Sequence, residues 1–206
     1  YDLSPYRMKY VTSSYLSPEE KQEILERWPG GLIEFYGLTE GGGSTILFAH
    51  DHPAKLHTVG RPVPGHEIRL IGEDGNEVAA GDVGEVVGRS DTSMTRYHNR
   101  PDLTESSRWI SPDGVAYFRT GDLARIDEDG FIIICGRKKD MIISGGFNIY
   151  PSDLEAVLLN HEGVADAAVV GVRSVQWGET PVAFVVPAKD DLDPEGLKSW
   201  ANEELG

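Results

Sequence analysis

The spacing of hydrophobic and polar positions predicts a helix and a strand in the first quarter of the chain. Ser17 and Glu20 have the spacing of a capping box, and Pro18 suits the first helical position. The predicted helix ends where a Pro-Gly-Gly run begins at residue 29. An apolar run over residues 32–36 then predicts a short strand, which leads into a glycine-rich loop.

The pattern changes between residues 57 and 135, where short apolar stretches alternate with turn sequences. Strands this close together, with little helix between them, predict a small antiparallel barrel or sandwich. One polar stretch, residues 119–122, interrupts the apolar pattern and predicts a break between two strands. A hairpin is predicted across residues 128–130.

Beyond residue 140 helices and strands alternate. Ser152, with Glu155 three positions later, predicts a capped helix, and residues 165–172 and 180–187 read as strands. Asp193 and Pro194 begin a last predicted helix. The chain as a whole is therefore predicted to be α+β. Its last structural unit is expected to be incomplete, because the sequence ends within a predicted helix.

Composition narrows the choice of partners. The 206 residues contain 19 Lys and Arg against 34 Asp and Glu, a net charge of −15. Such a chain repels phosphate backbones and anionic lipids, so nucleic acid and membrane are unfavourable partners, although a local cationic site remains open. No apolar run approaches the ~20 residues of a membrane span. With a single cysteine and no signal peptide, we expect a reducing, cytoplasmic location.

Residues 36–43 are the first candidate for chemistry. The hydroxyl of Thr39 can donate to a phosphate oxygen, and the carboxylate of Glu40 can bind the accompanying Mg²⁺. The following glycines leave backbone N–H groups accessible to an anion, and Tyr36 offers a flat face to a purine. The alternative is an ordinary glycine-rich turn in which Thr39 caps a helix.

Two further stretches are ambiguous by themselves. Asp122 follows a glycine at the predicted strand break, where it could accept hydrogen bonds from a ribose diol or serve as an ordinary turn residue. Residues 136–151 begin with a Gly-Arg-Lys-Lys-Asp run. This run is either part of a functional site or simply the charged, solvent-exposed end of a strand. No Walker-type phosphate loop occurs anywhere in the sequence.

The order of the motifs is more informative than any one of them. The series resembles the adenylate-forming superfamily, which includes acyl- and aryl-CoA ligases, luciferase and peptide-synthetase adenylation domains. The matching motifs are Tyr36-Gly37-x-Thr39-Glu40, Gly84-Glu85-Val86, Thr120-Gly121-Asp122, Gly136-Arg137-x-x-Asp140 and Gly145-Gly146-x-x-Ile149-x-Pro151-x-x-x-Glu155. The resemblance implies activation of a small carboxylic acid by ATP to an acyl-AMP, followed by transfer of the acyl group to the thiol of CoA.

The resemblance also implies residue roles and cofactors. Thr39 and Glu40 would be catalytic, with Thr39 at the α-phosphate and Glu40 at Mg²⁺. Tyr36 would stack on adenine, and Asp122 and Arg137 would bind the ribose hydroxyls. The implied nucleotide-binding set is Tyr36, Gly37, Thr39, Asp122 and Arg137. The implied cofactors and co-substrates are ATP or AMP, Mg²⁺ and CoA.

The family also implies a division into two domains. Residues 1–138 would be the end of the large domain, including the small barrel, and residues 139–206 most of the small mobile domain. Lys139 would be the hinge between them. Gly145 and Gly146 would line the channel for the pantetheine arm of CoA. The loop at residues 41–44 would touch the acid, and its glycines suggest room for a chain or a ring.

Two family features do not occur in the sequence. These are the Ser/Thr/Gly-rich loop that holds the pyrophosphate end of ATP and the lysine near the family's C-terminus. We therefore expect this 206-residue stretch to be a fragment without ligase activity of its own, which an assay of ATP-dependent pyrophosphate release can check. The stretch 144–155 favours an acyl- or aryl-CoA ligase. The alternatives are an adenylation domain that loads a carrier protein and a non-catalytic module that binds nucleotide or a protein partner.

Overall fold

A computed structural model describes residues 2–189 and 192–205, and the chain divides into two units, Tyr1–Ile134 and Cys135–Gly206. Both units combine helices with mainly antiparallel sheets, so the predicted α+β class is confirmed. Within the described part of the chain, no helix is both long and apolar enough to cross a membrane.

The first unit begins with a four-stranded sheet covered by one helix. Its elements are β1 (Met8–Thr12), α1 (Pro18–Arg27), β2 (Gly31–Tyr36), β3 (Thr45–Phe48) and β4 (Arg61–Pro62), and its strand order is β1-β2-β3-β4. Strands β1 and β2 are parallel, with α1 as the crossover. The predicted capping box is present, since the Glu20 N–H donates to Ser17 Oγ and the Ser17 N–H donates to Glu20 Oε2. Leu32 and Leu47 are fully buried, and Ile24 and Leu25 of α1 pack against their cluster.

A second, antiparallel sheet follows in the same unit. Its elements are β5 (Glu67–Ile71), β6 (Gly84–Arg89), α2 (Pro101–Ser106), β7 (Arg108–Ile110), β8 (Ala116–Ile126) and β9 (Ile132–Arg137), the last of which runs past Ile134 into the second unit. The order is β5-β6-β8-β7, and β9 also pairs with β8. The predicted antiparallel arrangement is therefore present. The predicted break at residues 119–122 is wrong, because β8 is continuous through it.

A β-bulge replaces the predicted break. Between β6 and β8, Val87 pairs with Arg119 and Glu85 pairs with Leu123, so β8 carries two more residues than its partner over this interval. Gly121 has φ of +74°, a backbone conformation that favours glycine. The bulge allows the strand to continue while it changes the direction of the Thr120–Asp122 stretch.

The second unit has its own sheet and core. Its elements are β10 (Ile142–Ser144), β11 (Phe147–Ile149), α3 (Pro151–Leu159), β12 (Val164–Ser174), β13 (Gly178–Pro187) and α4 (Pro194–Leu205), with strand order β11-β10-β13-β12. The two strands expected at 165–172 and 180–187 form a long hairpin. The last helix begins as predicted, with Asp193 accepting from the N–H groups of Glu195 and Gly196.

The predicted cap of the third helix is wrong. The N-cap position of α3 is Tyr150, and Pro151 occupies the first helical position. Ser152 lies inside the first turn, where its hydroxyl donates to the carbonyl of Cys135 at 2.7 Å. Glu155 does not close a capping box but accepts from the N–H of Val169 on β12 at 2.8 Å.

Candidate functional site

The loop of residues 37–44 connects β2 to β3 and carries the first predicted motif. Thr39 and Glu40 form a turn. No helix follows them, since the next element is β3, so the alternative in which Thr39 caps a helix is wrong. The side chain of Thr39 is exposed and that of Glu40 is half-buried. The turn therefore presents a hydroxyl and a carboxylate next to each other.

Glycine is required in this loop for close packing on the second sheet. A Cβ atom on Gly42 would lie 2.5 Å from the Phe118 ring, and one on Gly88 of β6 would lie 1.9 Å from the Gly42 carbonyl oxygen. The N–H groups of Gly41 and Gly43 donate to carbonyls within the loop, at 2.9 and 2.8 Å. The expectation that the glycines leave their N–H groups to an anion is therefore wrong for these two.

A second segment, residues 90–97, forms hydrogen bonds to this loop. The hydroxyls of Ser90 and Ser93 both donate to the Gly41 carbonyl, at 3.0 and 2.8 Å. The Met94 N–H donates to the Glu40 carbonyl at 2.8 Å. The Tyr97 hydroxyl donates to Glu40 Oε1 at 2.9 Å. Sequence reasoning missed the whole segment, because nothing in its residue types indicates that it meets a loop some fifty positions earlier.

The structure brings together two of the predicted nucleotide-binding residues. The Tyr36 hydroxyl, at the end of β2, donates to Asp122 Oδ2 at 2.6 Å. Asp122 is 4% exposed and lies in the β8 bulge. Its N–H donates to Thr120 Oγ1, which in turn donates to the Val86 carbonyl. The Tyr36 hydroxyl and the fixed geometry of the bulge thus both orient the carboxylate.

The remaining predicted residues belong to the second unit. Arg137 ends β9 with an exposed side chain, and Lys139 lies in a 3₁₀ turn, Lys138–Asp140. Gly145 and Gly146 form the two-residue turn between β10 and β11, with φ of +58° and +86°. These angles suit a type I′ hairpin turn, so the turn by itself accounts for both glycines.

The two glycines differ in their surroundings. A Cβ on Gly145 would lie 3.0 Å from the Trp177 ring, and the Gly145 N–H donates to the Trp177 carbonyl at 2.8 Å. A Cβ on Gly146 would have nothing within 4 Å. Gly145 is therefore packed against this unit, whereas Gly146 adjoins open space.

The residues fit a magnesium ion that arrives with a nucleotide rather than a resident metal. No group of three or more His, Cys, Asp or Glu side chains that could hold an ion is found in residues 2–189 and 192–205. Protein sites for Mg²⁺ with nucleotides need only one or two carboxylates, because phosphates and water complete the shell. Glu40, beside the Thr39 hydroxyl, is a suitable single carboxylate.

Comparison with known proteins decides the family. The family model described as AMP-binding enzyme matches residues 1–98, and the model described as AMP-binding enzyme C-terminal domain matches residues 153–206. The chain belongs to the adenylate-forming superfamily of AMP-binding enzymes. The family resemblance of the motif series is thereby confirmed, while the role of each motif residue stays a prediction.

Several curated relatives of the chain are CoA ligases. A long-chain-fatty-acid–CoA ligase of Salmonella typhimurium is 40% identical over 186 residues, which are 88% of this chain and 32% of that protein. An indoleacetate–CoA ligase of Aromatoleum aromaticum is 40% identical over 190 residues, covering 90% of this chain and 36% of that one. The chain thus spans about a third of the length of these curated relatives.

Solved structures of adenylate-forming enzymes share the fold. The o-succinylbenzoate coenzyme A synthetase of Bacillus subtilis, in complex with ATP and magnesium, matches with a TM-score of 0.80 and 31% identity. The match covers 97% of this chain and 40% of the synthetase. That relative binds ATP and magnesium with a fold that our chain reproduces over nearly its whole length.

Proposed function

We propose that the complete gene product is an ATP-dependent carboxylate–CoA ligase for a fatty or aromatic acid. In the first step the carboxylate oxygen attacks the α-phosphorus of ATP, and pyrophosphate leaves to give an acyl-AMP. In the second step the CoA thiol loses its proton, its sulfur attacks the acyl carbonyl, and AMP leaves. The observation that carries this proposal is the Tyr36–Asp122 hydrogen bond, which joins two family motifs within one unit at 2.6 Å.

The nucleotide is proposed to bind at the end of β2 and at the β8 bulge. Tyr36 would offer its ring to adenine while its hydroxyl holds Asp122. Asp122 would accept hydrogen bonds from the ribose hydroxyls, which a neutral side chain could not do as strongly. Gly37, which follows Tyr36 directly, and Arg137 complete the proposed nucleotide-binding set.

Thr39 and Glu40 are proposed as the catalytic residues. The exposed Thr39 hydroxyl would donate to an α-phosphate oxygen, where charge develops during attack. Glu40 would hold Mg²⁺, which neutralises phosphate charge when bound. The two residues would act by position and charge rather than by covalent chemistry.

The acyl transfer is proposed to depend on a hinge at Lys139. The domains would be residues 1–138 and 139–206, and Lys139 lies in the short turn that begins just after Arg137. A turn of this kind can absorb a large dihedral change with few residues. Gly146 adjoins open space, which supports the proposed passage of the pantetheine arm beside it, with Gly145 forming the rest of the turn.

The test is a substrate panel on the complete gene product. Pyrophosphate release that requires both ATP and an acid, across fatty acids of increasing chain length and aryl acids, establishes the first step and its substrate class. Formation of the CoA thioester establishes the second. Acyl transfer to a carrier protein but not to CoA would replace the ligase by a carrier-loading enzyme, and nucleotide binding without pyrophosphate release would replace it by a binding module.

Cellular location is part of the same proposal. The one cysteine, Cys135, is a buried thiol. A buried thiol fits the reducing cytoplasm that we propose for the enzyme.

Asp122→Ala should raise the KM for ATP by about 10- to 150-fold, because truncation removes a charge-assisted hydrogen bond to the ribose, worth roughly 1.5–3 kcal/mol. The measurement is the KM for ATP in acid-dependent pyrophosphate release by the complete gene product. Asp82→Ala, at an exposed aspartate of the same unit outside the 37–44 loop and the 90–97 segment, is the matched control and should leave the KM unchanged. An unchanged KM in Asp122→Ala would remove Asp122 from the nucleotide site.

A further inference from the structure

We propose that Tyr97 is a positioning residue for adenylation, whose hydroxyl orients the Glu40 carboxylate for the Mg²⁺ ion that accompanies ATP. The inference rests on the proposed function, in which Glu40 meets the metal. It adds a residue outside the motifs that identified the family. The Tyr97 hydroxyl donates to Glu40 Oε1 at 2.9 Å, across 57 positions of sequence.

Contacts at several points fix the distance between Tyr97 and Glu40. The Met94 N–H donates to the Glu40 carbonyl at 2.8 Å, three residues before Tyr97. The hydroxyls of Ser90 and Ser93 donate to the carbonyl of Gly41, the residue after Glu40. The 90–97 segment thus binds the backbone carbonyls of Glu40 and of the residue after it, as well as the Glu40 carboxylate itself.

Tyr97 is anchored from its other side by α2. Its N–H donates to Thr104 Oγ1 at 3.0 Å, and Thr104 Oγ1 donates to the Arg100 carbonyl at 2.9 Å. Thr104 is a buried residue of α2. The tyrosine therefore connects a structured helix to the carboxylate, and its ring is half-buried in between.

The donor is suited to a carboxylate that must also bind a cation. A hydroxyl engages one oxygen and leaves the negative charge of Glu40 intact, whereas a lysine or arginine at this place would neutralise it. Only Oε1 is engaged by a donor among the residues that the structure describes, which leaves Oε2 for the ion.

Orientation of this kind has a measurable consequence. A glutamate on a turn samples several rotamers, and fixing one before the ion arrives removes part of the entropic cost of binding. Groups that orient metal ligands in this way typically contribute about 10- to 100-fold in metal affinity or activity. Loss of the Tyr97 hydroxyl should therefore weaken the metal-dependent part of ATP binding. It should leave AMP affinity unchanged, because AMP has no β- and γ-phosphates for the metal to accompany.

Tyr97→Phe in the complete gene product tests the inference, because it removes the hydroxyl and keeps the ring. Calorimetric titration gives three dissociation constants: for ATP in excess Mg²⁺, for ATP in EDTA, and for AMP. We expect the ratio of the ATP constants, EDTA over Mg²⁺, to fall about 10-fold or more, with AMP affinity unchanged. In the Glu40→Gln background, Tyr97→Phe should change the ratio no further, since the two residues act as one unit.

Tyr117→Phe is the matched control. The Tyr117 hydroxyl donates to Glu67 Oε2 at 2.7 Å, so this variant loses a tyrosine–glutamate bond of the same kind between β8 and β5. It should leave the ratio unchanged.

Each outcome of the titrations is decisive. A wild-type ratio in Tyr97→Phe, or an equal loss of AMP and ATP affinity that indicates a merely structural role, would overturn the inference while the ligase proposal stands. A wild-type protein whose ATP affinity does not depend on Mg²⁺ would overturn the metal role of Glu40 and the inference with it.

Discussion

Glu40→Gln in the complete gene product should lower kcat for acyl-AMP formation by about 10²–10³-fold, the loss typical of removing one group that stabilises developing charge. Glutamine has the shape of glutamate and can still accept from Tyr97, but it lacks the negative charge that holds Mg²⁺ against the phosphates. The measurement is acid-dependent exchange of labelled pyrophosphate into ATP at saturating ATP and Mg²⁺. AMP affinity should stay unchanged, because AMP lacks the β- and γ-phosphates whose charge the metal would neutralise.

A charge-matched control separates this effect from the general acidity of the protein. Glu73 is exposed in the turn between β5 and β6, away from the 37–44 loop in sequence. Glu73→Gln removes the same single charge and should leave the exchange rate unchanged. Exchange by Glu40→Gln at the wild-type rate, with folding verified by AMP binding, would show that Glu40 is not the metal ligand.

Local signals were sufficient for much of the fold. The capping box of Ser17 and Glu20 and the Asp193 start of α4 depend on hydrogen bonds between residues two or three positions apart. The strands β2, β12 and β13 follow the apolar pattern of consecutive residues. Hydrogen bonds of this range form in the same way in most surroundings, so the residue pattern predicts them. The order of the family motifs then identified the superfamily.

Local sequence patterns were insufficient where tertiary contacts compete with local ones. Ser152 has the spacing of a helix cap, yet its hydroxyl bonds the carbonyl of Cys135, 17 positions away. Lys21 lies in α1, a short helix of mostly polar residues, where a lysine would be expected to face solvent. It is nevertheless 2% exposed, and its Nζ donates to the carbonyls of Leu56 and Thr58. Helical periodicity assigns residues to the faces of a helix, but it does not indicate which residues those faces pack against.

In the candidate site, too, local residue types could be interpreted from the sequence, whereas long-range contacts could not. Residue types predicted a hydroxyl, a carboxylate and a diol acceptor, and the resemblance to the family assigned them roles, which stay predictions. The contacts between them could not be predicted, because Tyr36 and Asp122 are 86 positions apart and Tyr97 and Glu40 are 57 apart. The bulge that carries Asp122 was also missed, because a glycine within a strand pattern indicates a break as readily as a bulge.

Lys139→Pro in the complete gene product should slow thioester formation by about 10²-fold, a loss typical of a misplaced reacting group, and leave acyl-AMP formation near the wild-type rate. Proline fixes φ near −65°, which suits the 3₁₀ turn of Lys138–Asp140. It also disfavours a helical backbone at Lys138, the residue before it in the turn. Because the φ angle of residue 139 is fixed, the dihedral change proposed to precede acyl transfer would be blocked.

Single-turnover kinetics separates the two half-reactions. Acyl-AMP is formed from ATP and acid without CoA, and its decay is then followed after CoA is added. Lys139→Ala is the matched control, because it removes the same charged side chain and leaves the backbone free to rotate. If Lys139→Ala slows thioester formation as much as Lys139→Pro, the side chain rather than the backbone matters. If Lys139→Pro slows both half-reactions equally, residue 139 is not a hinge between them, because a hinge that moves after adenylation has no reason to impair the step that precedes its movement.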